Sequence, residues 1–209
     1  GAGSWGVGLA TLLHKRGHRL RLWEFNRADA DRLRATRELP QKLPGVALPD
    51  AVDVTNSIHD TVASAQLVVC AVPAQTARKA MRTLIKATSQ SERDAVRGWV
   101  IVSKGLEART MKPLTDVLLD ELPGLARERL LVLSGPSHAE EVARHVPTTV
   151  VAASESHELA RTVQREFSTD TFRIYTNDDM VGVELAGAVK NVIALAAGIC
   201  DGMGLGLAI

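Results

Sequence analysis

Short, nearly continuous apolar runs alternate with longer amphipathic segments along this chain. Strands of a parallel sheet that is covered on both faces have this character, so the runs predict strands. The predicted strands are residues 19–23, 67–72, 100–103, 130–133, 148–153 and 172–175. The amphipathic segments predict helices, which are residues 75–86, 111–121, 139–144 and 155–167. This alternation predicts an α/β fold built on a doubly wound parallel sheet.

The first six residues form a glycine fingerprint, Gly-Ala-Gly-Ser-Trp-Gly, and run directly into an amphipathic helix. In a Rossmann-type sheet, Gly1 permits the tight turn, Gly3 lets a pyrophosphate approach the backbone, and Gly6 lets the helix pack closely. The anion then lies on the free N–H groups at the positive end of the helix dipole. Such a fingerprint normally follows the central first strand of the sheet. We therefore expect the chain to be a piece of a longer protein.

Two other stretches interrupt the alternation. Residues 39–49 contain three prolines and a glycine, which predicts a surface loop. After Tyr175, an Asn-Asp-Asp helix start at residues 177–179 leads into a helix of small, mostly apolar residues, predicted over 180–198. The change predicts a domain boundary, with a dinucleotide-binding domain at residues 1–176 and the start of an α-helical substrate-binding domain at residues 177–209.

Composition narrows the classes of protein that the chain can represent. Of its 209 residues, 45% are hydrophobic and 23% charged, which is typical of a globular protein with an apolar core. The formal net charge is +1 and no basic block occurs, which argues against a nucleic-acid partner. Cys70 and Cys200 have no metal-ligand spacing, so we expect reduced thiols, no metal and a cytoplasmic location. The apolar run at residues 192–200 is too short to span a bilayer, so no membrane partner is expected.

The residues after the second predicted strand bear on the choice of dinucleotide. Glu24 lies 18 residues beyond Gly6, where a Rossmann fold commonly places an acid on the adenosine ribose. A carboxylate there favours NAD, whereas the nearby Arg27 can receive the 2′-phosphate of NADP. Solvated charges on a loop are an equally good interpretation of both residues. The sequence leaves the preference between NAD and NADP open.

Two further candidate segments follow predicted strands directly, where open α/β sheets bind their ligands. Lys104, in Ser-Lys-Gly-Leu-Glu, can hold a phosphate or polarise a carbonyl, although an ordinary surface lysine explains it as well. Residues 134–141 begin a predicted helix whose N–H groups can receive an anion. His138 within them is either an acid or base or a residue that packs in the turn.

Lys190 lies in a helix that is apolar nearly all round, which predicts burial of the helix. A buried lysine has a lowered pKa, which suits proton transfer near neutral pH. The alternative is a packed aliphatic stem with the ammonium reaching water. We expect the lowered pKa at Lys190, and we expect Lys104 to stay hydrated and charged.

Six motifs occur together and in order along the chain. They are Gly1–Gly6, Cys-Ala-Val-Pro at 70–73, Ser-Lys-Gly-Leu-Glu at 103–107, Ser-Gly-Pro-Ser at 134–137, Tyr-Thr-Asn-Asp-Asp at 175–179 and Gly-Ala-Val-Lys-Asn at 187–191. With them, essentially the whole chain resembles the NAD(P)-dependent glycerol-3-phosphate dehydrogenase family. The resemblance implies interconversion of sn-glycerol 3-phosphate and dihydroxyacetone phosphate by hydride transfer with NAD or NADP. In the biosynthetic direction this reaction supplies glycerol 3-phosphate for phospholipid synthesis.

The resemblance also implies roles for individual residues and an assembly. It makes Lys190 the catalytic proton donor and acceptor, also in contact with substrate. The substrate contacts that it implies are Lys104, Gly135, Ser137 and Asn191. The cofactor contacts are Ser4, Trp5, Phe25, Ala139 and Lys104, beside the fingerprint glycines Gly1, Gly3 and Gly6 and the acid Glu24. A small-molecule substrate and a homodimer are the expected partners. The chain is expected to lack the first strand and most of the C-terminal helical domain.

Two rival interpretations remain at this stage. One is a related two-domain dehydrogenase, of the ketopantoate reductase or hydroxyacyl-CoA dehydrogenase type. The Ser-Lys-Gly-Leu-Glu and Ser-Gly-Pro-Ser segments argue against it. The other is a nucleotide-binding module without catalytic activity, and the presence of both Lys104 and Lys190 argues against that.

Overall fold

Helices and strands alternate along residues 1–205, which a computed structural model of the chain describes. The helices are α1 (Ser4–Lys15), α2 (Arg27–Thr36), α3 (Ile58–Val62), α4 (Ala77–Ala87), α5 (Gln90–Ala95), α6 (Leu114–Glu121), α7 (Ala139–Ala143), α8 (His157–Phe167) and α9 (Met180–Gly202). The strands are β1 (Arg21–Trp23), β2 (Glu38–Leu39), β3 (Leu43–Ala47), β4 (Asp53–Thr55), β5 (Leu67–Cys70), β6 (Gly98–Ile101), β7 (Leu130–Ser134), β8 (Thr148–Ala153) and β9 (Phe172–Asn177). Residues 206–209 of the predicted helical domain lie outside the described range.

The main sheet has five strands in the order β5-β6-β7-β8-β9. β5, β6 and β7 are parallel, with Val69 opposite Val100 and Val100 opposite Leu131. β1 and β4 form a separate parallel pair, and β2 and β3 form an antiparallel hairpin. The predicted Rossmann-type α/β fold is therefore confirmed.

The sheet differs from the prediction in the direction of β8, which runs antiparallel to β7. β9 pairs parallel to β8, so the last two strands both oppose the first three. The connection from β7 contains only the five-residue helix α7, about 7.5 Å long. A helix this short cannot carry the chain back along β7 to begin a parallel strand. The chain therefore returns in the opposite direction, which needs no crossover helix.

Both faces of the five-stranded sheet are covered. Trp99 and Ile101 of β6 pack into one core cluster with Leu118 of α6. Val100, between them, points to the other face and packs with Leu12 of α1 in a second cluster. Successive side chains of a strand point to opposite faces, so a strand covered on both sides must be apolar at every position. This explains the continuous apolar runs of the sequence.

A channel of about 1500 Å³ separates the β1–β4 pair from β5. It is lined by Leu9 and Leu13 of α1, by Leu22 of β1 and by Val68 of β5. In the strand order 3-2-1-4-5-6, the first strand lies between the strands that correspond to β1 and β5. Residues 1–205 place no strand between β1 and β5.

The prediction for residues 39–49 was wrong. Instead of a loop, they contribute to the hairpin of β2 and β3. Leu43, Val46 and Leu48 of this segment are buried against α1 and α2, while Pro44 and Gly45 within β3 stay exposed. The proline and glycine of β3 obscured its two buried apolar positions, Leu43 and Val46. The short polar elements α2, α3, α5 and β4 were not predicted at all.

The helices α6 and α9 also differ from their predicted limits. α6 begins at Leu114 rather than at residue 111, because Met111 adopts a left-handed conformation (φ 57°) and Pro113 precedes the first turn. α9 continues to Gly202, four residues past the predicted end. By length and a mean hydropathy of 1.6, α9 resembles a membrane-spanning helix, and only 6% of its apolar window is buried.

Candidate active site

The glycine fingerprint forms the turn into α1. Gly3 is the residue before the first helical position, and no side chain caps the helix. The N–H groups of the first turn therefore remain free to meet an anion. A side chain at Gly6 would stand 1.9 Å from the carbonyl oxygen of Gly1, so only glycine closes this turn. At Gly3 an added Cβ would meet no atom within 4 Å, which leaves the approach to the backbone open.

The turn lies against the carboxyl end of β5. A Cβ added to Gly1 would lie 2.6 Å from the carbonyl oxygen of Ala71, the residue after β5. The hydroxyl of Ser103, just after β6, shares its one hydrogen between the carbonyl oxygens of Val72 (2.5 Å) and Cys70 (3.1 Å). The fingerprint turn and the segment that carries Lys104 therefore meet at the same edge of the sheet.

Lys104 connects the segments that follow β6 and β7. Its Nζ donates to the carbonyl oxygen of Gly135 at 3.0 Å. Partial burial of the ammonium lowers the pKa of Lys104, and the nearby Lys190 ammonium lowers it further. Much of the Lys104 side chain is exposed, as expected for a hydrated lysine, although its pKa is lowered. Its charged end turns inward against Gly135 and beside a second cation, where its protonated form is less stable.

Lys190 reaches this edge from α9. A Cβ added to Gly187, one turn earlier, would lie 2.7 Å from the Ser134 Oγ and 3.9 Å from the Lys104 Cγ. The predicted burial of α9 is wrong, since only Met180 and Glu184 are buried. Lys190 is half-buried and Asn191 is exposed.

The predicted adenosine-binding residues lie at the end of β1. The side chain of Asn56 donates to the carbonyls of Glu24 (2.8 Å) and Phe25 (2.7 Å). The Glu24 carboxylate accepts from the backbone N–H of Asn26 at 2.9 Å. The Phe25 ring is 69% exposed, with the Lys79 ammonium 5.7 Å from its centre. This end of the site therefore presents an exposed aromatic ring beside an acid.

The remaining predicted cofactor residues lie around α1. The Ser4 hydroxyl donates to the carbonyl oxygen of Lys42 in the hairpin at 2.6 Å. The Trp5 ring packs towards Phe172 of β9, with 6.5 Å between ring centres. Ala139 is buried where α7 packs against α1, and a Cβ added to Gly8 would lie 3.3 Å from its carbonyl oxygen.

Ser137, a predicted substrate contact, is also buried, and its hydroxyl donates to the Gly135 carbonyl at 3.3 Å. His138, considered as an acid or base or as packed in the turn, has an exposed side chain. α7, which begins just after it, is only five residues long. The anion site expected at this helix start therefore has little helix dipole behind it.

A charge network that the sequence reasoning missed supports the Lys104 segment. Arg78 of α4 donates two hydrogen bonds to the Glu107 carboxylate, at 2.7 and 2.9 Å, and a third to Glu121 at 2.7 Å. The Arg78 guanidinium and the Thr110 hydroxyl lower the pKa of Glu107 to about 2. Glu107 is the last residue of the Ser-Lys-Gly-Leu-Glu motif, and its place in this motif was the feature of the sequence that could have pointed to the network.

The fold and the site define a dinucleotide-binding protein of the Rossmann class, in which the glycine-rich turn and the Lys104 segment meet at one edge of the sheet. Residues 1–160 match the family described as NAD-dependent glycerol-3-phosphate dehydrogenase N-terminus, and residues 179–208 match the corresponding C-terminus family. The chain belongs to the NAD-dependent glycerol-3-phosphate dehydrogenase family. This confirms the resemblance found in the sequence motifs.

Individual relatives agree with this assignment. The chain is 48% identical over 208 residues to a glycerol-3-phosphate dehydrogenase [NAD(P)+] of Chlorobium luteolum, covering 99% of this chain and 60% of the relative. It is 43% identical over 209 residues to the protein of the same name from Fusobacterium nucleatum, with the same coverage of both chains. A crystal structure of glycerol-3-phosphate dehydrogenase from Coxiella burnetii superposes with a TM-score of 0.85 at 32% identity, covering 99% of this chain and 61% of that one. The chain thus spans about 60% of the length of the curated relatives that it matches.

Proposed function

We propose that the chain is the dinucleotide-binding domain, with the first part of the substrate-binding domain, of an NAD(P)-dependent glycerol-3-phosphate dehydrogenase. The domains divide between residues 176 and 177, in keeping with the two family matches at 1–160 and 179–208. The observation that carries the proposal is the convergence of Lys104, Gly135 and α9 beside the fingerprint turn. The whole protein acts in the cytoplasm as a homodimer on a small molecule and engages neither nucleic acid nor membrane.

The residues of the first turn fit a dinucleotide. The free N–H groups of Ser4, Trp5 and Gly6 and the open approach at Gly3 suit a pyrophosphate. Glu24 and Phe25 hold the adenosine end, and Ala139 closes the site from α7. When bound, NADH or NADPH supplies the hydride that reduces the ketone.

Lys190 and Lys104 have different roles in the reaction. Lys190 donates a proton to the carbonyl oxygen of dihydroxyacetone phosphate as the ketone is reduced, and takes it back in the reverse reaction. Lys104 places a second positive charge beside that oxygen, where negative charge develops. Gly135, Ser137 and Asn191 orient the substrate against these two groups. The product is glycerol 3-phosphate, the backbone of phospholipids.

Turnover of dihydroxyacetone phosphate with NADH by the protein expressed from its complete reading frame tests the proposal. Lys190→Met should lower kcat by at least ~10²-fold, the usual scale of general acid–base catalysis. The Kd of NADH should change by less than about twofold from wild type, because Lys190 lies on α9 and is not part of the turn that holds the pyrophosphate. Lys104→Met should mainly raise KM for the phosphorylated ketone.

Two results would contradict the proposed reaction, and a third would contradict the role of Lys190. NADH binding without turnover would indicate a nucleotide-binding module. Faster turnover of ketopantoate or a 3-oxoacyl-CoA in a substrate panel would indicate a related dehydrogenase. A Lys190→Met variant with near-normal kcat would leave the reaction in place but remove Lys190 from its proposed role.

A further inference from the structure

Glu184 is a buried carboxylate to which the proposed reaction assigns no role. It lies on the first turns of α9, and 3% of its surface is exposed. Its Oε1 accepts from the backbone N–H groups of Leu114 (2.6 Å) and Thr115 (3.1 Å). Its Oε2 accepts from the Thr115 hydroxyl at 2.6 Å. Three donors from one helix therefore converge on a carboxylate from another.

These contacts replace a missing cap. The residue before α6 is Pro113, which makes no side-chain capping bond. The first N–H groups of a helix have no partner within the helix and need an acceptor. A carboxylate is a favoured acceptor there because it also meets the positive end of the helix dipole. Glu184 thus caps α6 from α9.

Glu184 is connected through α9 to the residues that approach the site. Gly187 is a surface neighbour of Glu184 at an interval of three residues, and Lys190 is a neighbour of Gly187 at the same interval. The middle residue lies against Ser134 and the aliphatic stem of Lys104. The capping contact at one end therefore determines where the other end, Lys190, is held.

Burial of the Glu184 carboxylate is energetically unfavourable, which indicates that its hydrogen bonds serve a purpose that an apolar side chain would not. Desolvation raises the pKa of Glu184, and the hydrogen bonds from Thr115 and Leu114 only oppose it. An apolar side chain packs two helices together without this cost. The hydrogen bonds of Glu184 form only at one rotation and one translation of the helix, because their distances and angles are restricted. Apolar contacts are less directional and do not fix the helix in this way.

We propose that Glu184 is a positioning residue that fixes α9 on the start of α6 and so holds Lys190 beside Lys104. The inference rests on the proposed reaction at the two lysines. It predicts that loss of the carboxylate lets α9 move and separates the two ammonium groups. The substrate-facing side chains themselves are unchanged in such a variant.

The pKa of Lys104 measures this separation without any turnover, because the Lys190 ammonium of α9 repels the Lys104 ammonium and lowers its pKa. We would follow the rate of acetylation of Lys104 against pH by mass spectrometry, in the protein expressed from its complete reading frame. Lys190→Met should move the profile to higher pH, since it removes the repelling charge. Glu184→Ala should move it in the same direction, and Glu184→Gln, which keeps the shape and the acceptor oxygen, should stay near wild type.

Leu118→Ala is the matched control, because Leu118 is a fully buried residue of α6 that makes none of the capping hydrogen bonds. It should lower Tm at least as much as Glu184→Ala and leave the Lys104 profile unchanged. In turnover, Glu184→Ala should lower kcat by about tenfold with little change in KM for NADH, as expected for a displaced catalytic group. Thr115→Val should reproduce part of this loss, because it removes one of the three donors.

A Lys104 profile that shifts in Lys190→Met but not in Glu184→Ala would overturn the inference. It would also be overturned if Lys190→Met left the profile unchanged, since Lys190 would then not be held near Lys104. A profile that shifts equally in Leu118→Ala would show a merely structural effect. Failure of the wild type to reduce dihydroxyacetone phosphate would refute the proposed reaction, whereas the labelling result would still decide the position of α9.

Discussion

Gly187→Ala tests how closely α9 must approach the sheet. A Cβ at residue 187 would lie 2.7 Å from the Ser134 Oγ, whereas ordinary contacts begin at 3.4 Å. The helix or the hydroxyl must therefore move by about 0.7 Å. Movement of the helix would carry Lys190, one turn further along, away from Lys104.

The size of the effect follows from this distance. A misplacement of about 1 Å can cost ~10²-fold in rate, so a shift of this size predicts a fall in kcat of about tenfold. Overpacking costs about 1–3 kcal/mol, and the better helix propensity of alanine returns about 0.5–1 kcal/mol. The free energy of unfolding should therefore fall by at most about 2.5 kcal/mol, and the variant should remain folded.

Turnover of dihydroxyacetone phosphate and urea unfolding would be measured on three variants. Gly187→Ala should show both losses. Adding Ser134→Ala should restore most of each, because it removes the obstructing oxygen. Gly198→Ala is the control on the same helix, since a Cβ there meets nothing within 4 Å. It should keep kcat and gain about 0.5–1 kcal/mol of stability.

Normal kcat and stability in Gly187→Ala would refute the reasoning. The Ser134 hydroxyl would then have rotated aside, and the close approach would not determine the position of α9. A loss that Ser134→Ala fails to repair would locate the obstruction elsewhere.

Three further predictions concern other parts of the chain. Because the pKa of Glu107 falls from 4.5 to about 2 on folding, its ionised form stabilises the protein fully above pH 4.5, and this contribution is lost as the pH falls towards 2. The stability difference between wild type and Glu107→Gln, measured by urea unfolding, should shrink over that interval, and a constant difference would contradict it. The Glu24 carboxylate should make NADH at least as good a cofactor as NADPH, and a preference for NADPH above about tenfold in kcat/KM, ~1.4 kcal/mol, would contradict this. Replacing the exposed Ile193 and Leu195 by Glu should reduce self-association of the 209-residue chain in sedimentation experiments. An unchanged sedimentation profile would show that this apolar face does not cause the self-association.

Strand positions could be predicted because burial on both faces leaves a plain record in the sequence. β6 and β7 are apolar at nearly every position, and both core clusters draw on them. Strand direction produces no such pattern, since the composition of an apolar strand does not depend on the direction in which it runs. The antiparallel course of β8 was therefore not predictable from its composition.

The candidate site was predictable where its residues come directly after strands of the sheet. Lys104 and Gly135 come after adjacent parallel strands, so the fold brings them within hydrogen-bond distance. Interactions between distant segments were not predictable. Glu184 and Thr115 are 69 residues apart, and only the packed structure shows that one caps the helix of the other. For the same reason the sequence could not show that Lys104 has a lowered pKa.

The hydrogen bond between Ser4 and the hairpin has a consequence for how a nucleotide enters. A hydroxyl carries a single hydrogen, and Ser4 gives it to the carbonyl of Lys42. Phosphate oxygens at neutral pH only accept, so Ser4 has no hydrogen left to offer them while the hairpin is held. A pyrophosphate therefore meets the Ser4 backbone N–H alone, or it takes the hydroxyl hydrogen and releases the Lys42 carbonyl. In the second case, arrival of the nucleotide and loss of this link between α1 and the hairpin turn would be one event, and their rates would be the same, while Leu43 and Val46 stay packed in the core.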